Sequence, residues 1–290
     1  MYKDRKGSIL TGEATPSGLL SLLYNSVILR PLLKFMTSYT HAEIARFFLT
    51  RRISSLLIDP FIKHNGISLK EYIPTRYKSF NDFFTRMIRP EARPVDMRED
   101  ILISPCDAKA FAYRITDNFI VNIKNTDYSV KSLIHNSELA ESFSGGLCMV
   151  FRLTADNFHR YSYIDSGYKS DNIYIPGLLH TVSPASEGHA HVYSENSREY
   201  CVLDTDHFGC VVQIEVGALN IGRIINWDNK GFFKKGDEKG LFEFGGSTIV
   251  LLLRQDSFTP DEDIVCNTSD GYETLVKVGE RIGCNEKYKG

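Results

Sequence analysis

The chain has 290 residues, 42% of them hydrophobic and 12% aromatic, with 10 Pro and 21 Gly, which excludes intrinsic disorder and fibrous or low-complexity architectures and suits one large domain or a domain with a helical appendage. Its 34 Lys/Arg and 36 Asp/Glu are unevenly spread: residues 1–98 carry 16 basic and 8 acidic side chains, net +8, and residues 99–290 are net −10. A basic first third implies an anionic partner for that part alone, nucleic acid or anionic lipid.

Met1 to Gly12 is charged and lacks the apolar core of a secretory peptide, so cytosolic synthesis is expected. The six cysteines form no C-x-x-C pair, which argues for a reduced compartment and against a zinc knuckle. Ala14 to Leu29 is free of charge but shorter than the ~20 apolar residues of a membrane span. It reads as an amphipathic helix with Leu19, Leu20, Leu22, Leu23, Val27 and Ile28 on its apolar side, continuing through Leu32, Leu33, Phe35 and Met36 beside Arg30 and Lys34. Such a helix either lies on a membrane or covers a core. Thr40-His41-Ala42-Glu43 spells a capping box. Ser79 to Asp82 starts another helix, with Phe80, Phe83, Phe84, Met87 and Ile88 on one face, and Pro90 and Pro94 end it in an extended connector.

Beyond Ile101 the period changes to two. Phe119–Ile123, Cys148–Leu153, Val211–Val216 and Thr248–Leu253 read as strands between Gly, Pro, Asn and Asp turns, with no intervening helix of comparable strength. The expected fold is α+β: a helical region over 1–98, whose apolar stripe lies on a membrane or covers a core, then a mainly antiparallel β domain over 99–290. No internal repeat or phosphate-binding glycine pattern is present.

Three segments carry candidate chemistry. Phe244-Gly245-Gly246-Ser247-Thr248 is a Gly-Gly-Ser turn before a very apolar strand; alone it is an ordinary turn, although two glycines permit a strained backbone that offers a carbonyl to the next hydroxyl. Asp107 closes the turn Ser104-Pro105-Cys106-Asp107, and His159 sits among aromatic residues after a strand. Asp, His and Ser together could form a nucleophile relay, but sequence order alone does not bring them together. His189-Ala190-His191 has a chelating spacing without a supporting third ligand, so no metal is expected.

In order along the chain, Ser79–Arg86 with Arg89-Pro90 and Ala92-Arg93-Pro94, Ser104–Asp107, Phe151-Arg152-Leu153 to His159-Arg160-Tyr161, Ile175-Pro176-Gly177, Asn196–Tyr200, Glu215–Ala218, Lys235–Gly240 and the Gly-Gly-Ser-Thr segment resemble the phosphatidylserine decarboxylases, pyruvoyl-dependent enzymes of phospholipid synthesis. The resemblance implies a proenzyme that cuts itself between Gly246 and Ser247 into a β chain, 1–246, and an α chain capped by a pyruvoyl group made from Ser247. It implies that His159 is the base and Asp107 the group that orients it. It further implies a carboxy-lyase that turns phosphatidylserine into phosphatidylethanolamine and CO2 through a Schiff base on the pyruvoyl group. The partners would be phosphatidylserine in anionic membranes and the chain's own two fragments, with homo-oligomerisation open and no nucleic acid. The place would be the cytoplasmic face of the cell membrane, held peripherally. The commoner family pattern has a second His where this chain has Ser162; either His159 serves both steps or His180 substitutes. Two alternatives stand beside it: a noncatalytic lipid-binding protein of the membrane surface, which shares every helical feature, and a pyruvoyl decarboxylase of another seryl lipid or a soluble amino acid, between which the amphipathic N-terminal third argues for a lipid.

Overall fold

A computed structural model describes residues 1–10, 47–124, 126–154, 156–181, 192–217, 223–243 and 247–288, apart from the side chains of 178–181 and 192–195. The stripe Leu19 to Met36, the capping box at Thr40 and the turn Phe244 to Gly246 lie outside the described residues.

Every residue of the strand Ser247–Leu253 is buried, because this apolar run sits mid-sheet with both faces covered. It pairs antiparallel with Gly209–Val216 on one side and Leu147–Leu153 on the other. From there the sheet runs outward through Arg198–Thr205, Gly167–Lys169 and Gly231–Phe233 in one direction, and through Ala108–Arg114 and Glu273–Val276 in the other. Alternate residues feed two cores. Ile249 and Leu251 join Phe151, Leu153, Tyr161 and Phe242 in one; Val250 and Leu252 join Val212, Ile214, Leu133 and Phe143 in the other. The chain is α+β, as expected.

Three short helices were not anticipated. Val130–Ile134 and Ser137–Glu141 have five residues each, too few to show a 3.6-residue period; they form because Ser129 supplies a capping box and Asn136 a side-chain cap. Glu262–Ser269 buries only Ile264 and Asn267.

The N-terminus departs further from the expected helical first third. Tyr2–Lys3 pairs parallel with Glu273–Val276 and Ile9–Leu10 pairs antiparallel with Tyr2–Lys3, so residues 1–10 extend the sheet. Their cations find intramolecular acids: Lys3 binds Asp270, and Arg5 binds Asp261 and Asp263. Part of the charge asymmetry is thus spent inside the molecule.

The helical region that follows contains a 3-10 turn, Arg52–Leu57, and the helix Ile58–Asn65, closed by Gly66 at φ 62. The next helix, Phe80–Phe84, is capped by Ser79, whose hydroxyl accepts from the Asp82 N–H. Phe80, Phe83 and Phe84 share a buried face, as expected, and pack on Ile58, but the face does not continue: Met87 is exposed and Ile88 packs with Tyr72, Phe158 and Val278. The helix stops short of Ile88 because extended pairing takes over: the Ile73 N–H donates to the Met87 carbonyl and the Arg89 N–H to that of Glu71.

Candidate active site

Register brings four strand ends level. Ser247 pairs with Leu153, Lys109 with Arg152, and Ala108 with Val276. Asp107, immediately before Ala108, therefore lies at the same end of the sheet as Ser247 with one strand between them, about 10 Å at the usual strand spacing. Ser247 is 1% exposed and heads its strand; period two puts its side chain on the face of Ile249 and Leu251.

Two contacts fix the Asp107 turn. The Ser104 hydroxyl donates to the Cys106 carbonyl and the Ser162 N–H to that of Pro105, both at 2.8 Å. Ser162, where the family's second His would stand, thus secures this turn through its backbone. The Asp107 carboxylate accepts from Arg93, at 2.9 Å from Nε and 2.6 Å from Nη2, and from the Val278 N–H at 2.9 Å. Arg93 also meets Glu71 at 2.9 Å.

His159 is carried by the loop that leaves the strand Leu147–Leu153. Asn157 Oδ1 folds that loop by accepting from the Thr154 N–H and hydroxyl. The His159 carbonyl accepts from the Phe242 N–H at 2.9 Å, which ties His159 to the strand Glu238–Phe242, five residues before Ser247. Its ring lies 3.8 Å, centroid to centroid, from Phe84. Nδ1 is buried and has no hydrogen-bond partner among the described residues. Burial pushes the imidazole down to about 3, with the positive charge of Arg86 acting in the same direction and the Asn157 backbone opposing both more weakly, so the ring is neutral near pH 7.

The structure therefore gathers Asp107, His159 and Ser247 at one end of the sheet without the direct Asp107–His159 hydrogen bond of a linear relay. Tyr72 connects the two. It packs against Phe158 and Val278, and its hydroxyl accepts from Arg86 Nη2 at 3.2 Å. His180 belongs to the strand Leu178–Thr181, opposite Tyr193; its side chain lies outside the described residues, as do His189 and His191.

Sequence reasoning assigned no role to Arg86, Arg93, Tyr72, or the buried pair Lys239–Glu215. The two arginines and the pair lie inside the family's ordered segments, which was a usable signal; Tyr72 gave none. Lys239 Nζ donates to Glu215 Oε1 at 2.7 Å and to Asn226 Oδ1 at 2.6 Å, and both members of the pair are fully buried. Glu215 pairs with Ile249, on the Ser247 face and two residues along. Gly240, next to Lys239, accepts no side chain, because a Cβ there would stand 2.1 Å from the Ile225 carbonyl oxygen and 2.6 Å from the Tyr161 hydroxyl.

Comparison with known proteins agrees with this geometry. The family model described as phosphatidylserine decarboxylase matches residues 80–284. The chain is 46% identical over 268 residues to phosphatidylserine decarboxylase proenzyme 2 of Clostridium acetobutylicum, covering 92% of each chain. It is 41% identical over 235 residues to the phosphatidylserine decarboxylase proenzyme of Clostridium novyi, covering 79% of this chain and 80% of the relative. It is 38% identical over 270 residues to that of Clostridium botulinum strain 657, covering 91% and 92%. With a match from the Phe80 helix through the last strand, and relatives aligned over 80–92% of their length, this chain belongs to the phosphatidylserine decarboxylase family, the carboxy-lyases made as proenzymes.

Proposed function

We propose that this chain is a phosphatidylserine decarboxylase proenzyme that matures by cutting itself between Gly246 and Ser247. The observation that carries the reading is the placement of Ser247: buried, heading the central strand, level with the Asp107 turn, and linked to His159 through Phe242. His159 takes the proton from Ser247 Oγ as that oxygen bonds to the Gly246 carbonyl carbon. The Gly246–Ser247 C–N bond breaks and an ester replaces the amide. Loss of the Ser247 Cα proton then breaks the Cβ–O bond, leaving a carboxylate on Gly246 and dehydroalanine at 247. Water adds to the imine tautomer, ammonia leaves, and the pyruvoyl group remains. Asp107, ion-paired to Arg93, fixes the strand end on which this geometry depends.

Residue 247 is buried at the head of a strand that runs on into the apolar cluster of Ile249 and Leu251, a place that suits a ketone that must be kept from bulk water. When formed, the pyruvoyl group supplies a conjugated carbonyl that accepts the electrons released as CO2 leaves phosphatidylserine. His159 then holds the proton for the carbon that lost the carboxylate. A neutral imidazole in an apolar shell can take the Ser247 proton in maturation and pass one back in turnover, so one His serves both steps where Ser162 stands in place of the second.

The mature enzyme works at the membrane surface, on the cytoplasmic face, docked through its N-terminal third. No helix among the described residues is long and apolar enough to cross a membrane. Phe47, Phe48, Ile53, Leu56 and Leu57 are exposed beside Arg51 and Arg52, a mixture that favours an anionic bilayer surface. Release of 14CO2 from carboxyl-labelled phosphatidylserine in vesicles, with phosphatidylserine-free vesicles and labelled free serine as controls, tests the substrate. The reading predicts release from the lipid alone and none from Ser247→Ala; release from serine but not from the lipid overturns it.

A further inference from the structure

Arg86 is 2% exposed, and among the described residues no carboxylate neutralises it. Its guanidinium instead donates to backbone carbonyls and one hydroxyl. Nη2 reaches the Asp156 carbonyl at 2.9 Å, the Asn157 carbonyl at 3.2 Å and the Tyr72 hydroxyl at 3.2 Å, and Nη1 reaches the Phe83 carbonyl at 3.4 Å. Its Nε is buried with no partner. The cation also sits over two aromatic rings, 4.4 Å from the Tyr72 centroid and 4.7 Å from that of Phe83.

Burying a cation without an anion is costly, and an apolar side chain of similar size would fill the space at lower cost. Hydrogen bonds and aromatic faces offset part of that cost. What they specify is a position: the two carbonyls belong to the residues three and two before His159, and Phe84, two residues before Arg86, lies against the His159 ring. One short stretch, Phe84 to Arg86, thus holds both the loop and the ring.

We propose that Arg86 is the positioning residue of the active site, clamping the 156–157 carbonyls so that the His159 ring stays buried and in place as a proton acceptor, with Phe84 fixing the plane of that ring. The inference rests on the reading of His159 as the base and deepens it. It makes the helix Phe80–Phe84 part of the catalytic apparatus, although it precedes the β domain in the chain.

Besides Ser247, which the maturation reading sets beside it, few groups among the described residues face His159. The helix Phe80–Phe84 and its end contribute Phe84 and Arg86. The loop contributes Phe158 and the carbonyls of Asp156 and Asn157, and the strand Glu238–Phe242 contributes the backbone of Phe242. Tyr72 stands behind Arg86, with Asp107 and Arg93 near enough to act on Tyr72. Arg86 is the charged group that lowers the imidazole. Losing it removes a nearby positive charge and opens the pocket to water, and both effects raise the imidazole toward its ordinary 6.5.

The test uses the full chain carrying Ser247→Ala, so that the reading needs no cleavage and no activity. With 15N-labelled histidine, the His159 resonance, identified by its loss in His159→Gln, is followed from pH 8 to pH 4.5 in the parent and in Arg86→Met, Arg86→Lys and Tyr72→Phe. The parent should stay neutral to pH 5. In Arg86→Met the ring should titrate above pH 5, inside the range over which the parent stays neutral. Arg86→Lys should fall between the two, since one ammonium keeps the charge but does not reproduce the guanidinium fork. In the Ser247 chain, cleavage should slow at least tenfold in Arg86→Met, with the loss deepening below pH 6.5, and Arg86→Lys should recover part of it. Should Arg86→Met not fold, Arg86→Lys and Tyr72→Phe carry the test, each expected to raise the titration. A folded variant set in which His159 titrates as in the parent overturns the proposal whether or not the chain cleaves. A chain that never cleaves, yet shows the shift, overturns the maturation reading and leaves the clamp standing.

Discussion

Arg93 binds both carboxylate oxygens of Asp107, and His159 receives neither. The Nε–Oδ1 and Nη2–Oδ2 contacts, at 2.9 and 2.6 Å, form a fork, and the Val278 N–H takes up further capacity of Oδ1. Asp107 is therefore half of an ion pair that fixes a strand end, and the energetics of the two residues should be shared. Asp107→Asn and Arg93→Gln are each expected to slow self-cleavage about a hundredfold or more, and the double variant should be little worse than either alone. Cleavage rates followed by gel densitometry measure this. Fully additive losses would mean that Asp107 works through some other partner.

His159 makes stability depend on pH in a defined direction. Its folded value is about 3 against the ordinary 6.5, so below pH 6.5 protons bind the unfolded chain before the folded one. Its contribution is fully present above pH 6.5 and is lost as pH falls toward 3, at up to ~1.4 kcal/mol per pH unit. Urea unfolding of the Ser247→Ala chain at pH 7.5 and pH 5.5 should show this loss, and His159→Gln should remove about that much of the difference.

A different buried pair gives a stability prediction of opposite character. Lys239 and Glu215 are both fully buried, so Lys239→Met alone strands a carboxylate in the core and should cost ~3–5 kcal/mol. Adding Glu215→Leu removes the stranded charge and should restore most of that loss. A double variant no more stable than the single in urea unfolding would show that Asn226 and Gln213, not the charge, set the cost.

How much of this was legible beforehand depended on whether the cause was local. Thr248 to Leu253 announced a core strand because six apolar or β-branched residues in a row leave little else. Ser79 announced a cap, and Phe80, Phe83 and Phe84 announced a buried face. The early end of that helix was invisible, since it is set by Glu71 and Ile73 across a turn. Residues 1–10 could not be read as strands either: Arg5 finds Asp261 and Asp263 more than 250 positions away. Ser247, Asp107 and His159 were picked out as candidates through ordered segments, while the grip of Arg93 on Asp107 and of Arg86 on the His159 loop arises only from tertiary packing.

Membrane docking should show two additive components. Each basic side chain near an anionic surface contributes about 1 kcal/mol, screened by salt, and the apolar contribution, ~25 cal/mol per Å² buried, is not. Sedimentation with anionic vesicles should weaken but persist at 0.5 M salt. It should drop sharply when Phe47, Phe48, Ile53 and Leu56, all exposed, become Ser, and likewise when Leu22, Leu23 and Ile28 do. Undiminished sedimentation of both variants would move the docking surface elsewhere.

Self-processing at Gly246–Ser247 is the central claim, and the intact mass of the purified protein tests it most directly. The account predicts two chains, residues 1–246 with an ordinary carboxyl end and residues 247–290 with a mass matching pyruvoyl instead of serine at the start, while Ser247→Ala gives one uncut chain. A wild-type preparation that remains one chain with serine at 247 and still decarboxylates phosphatidylserine would contradict it.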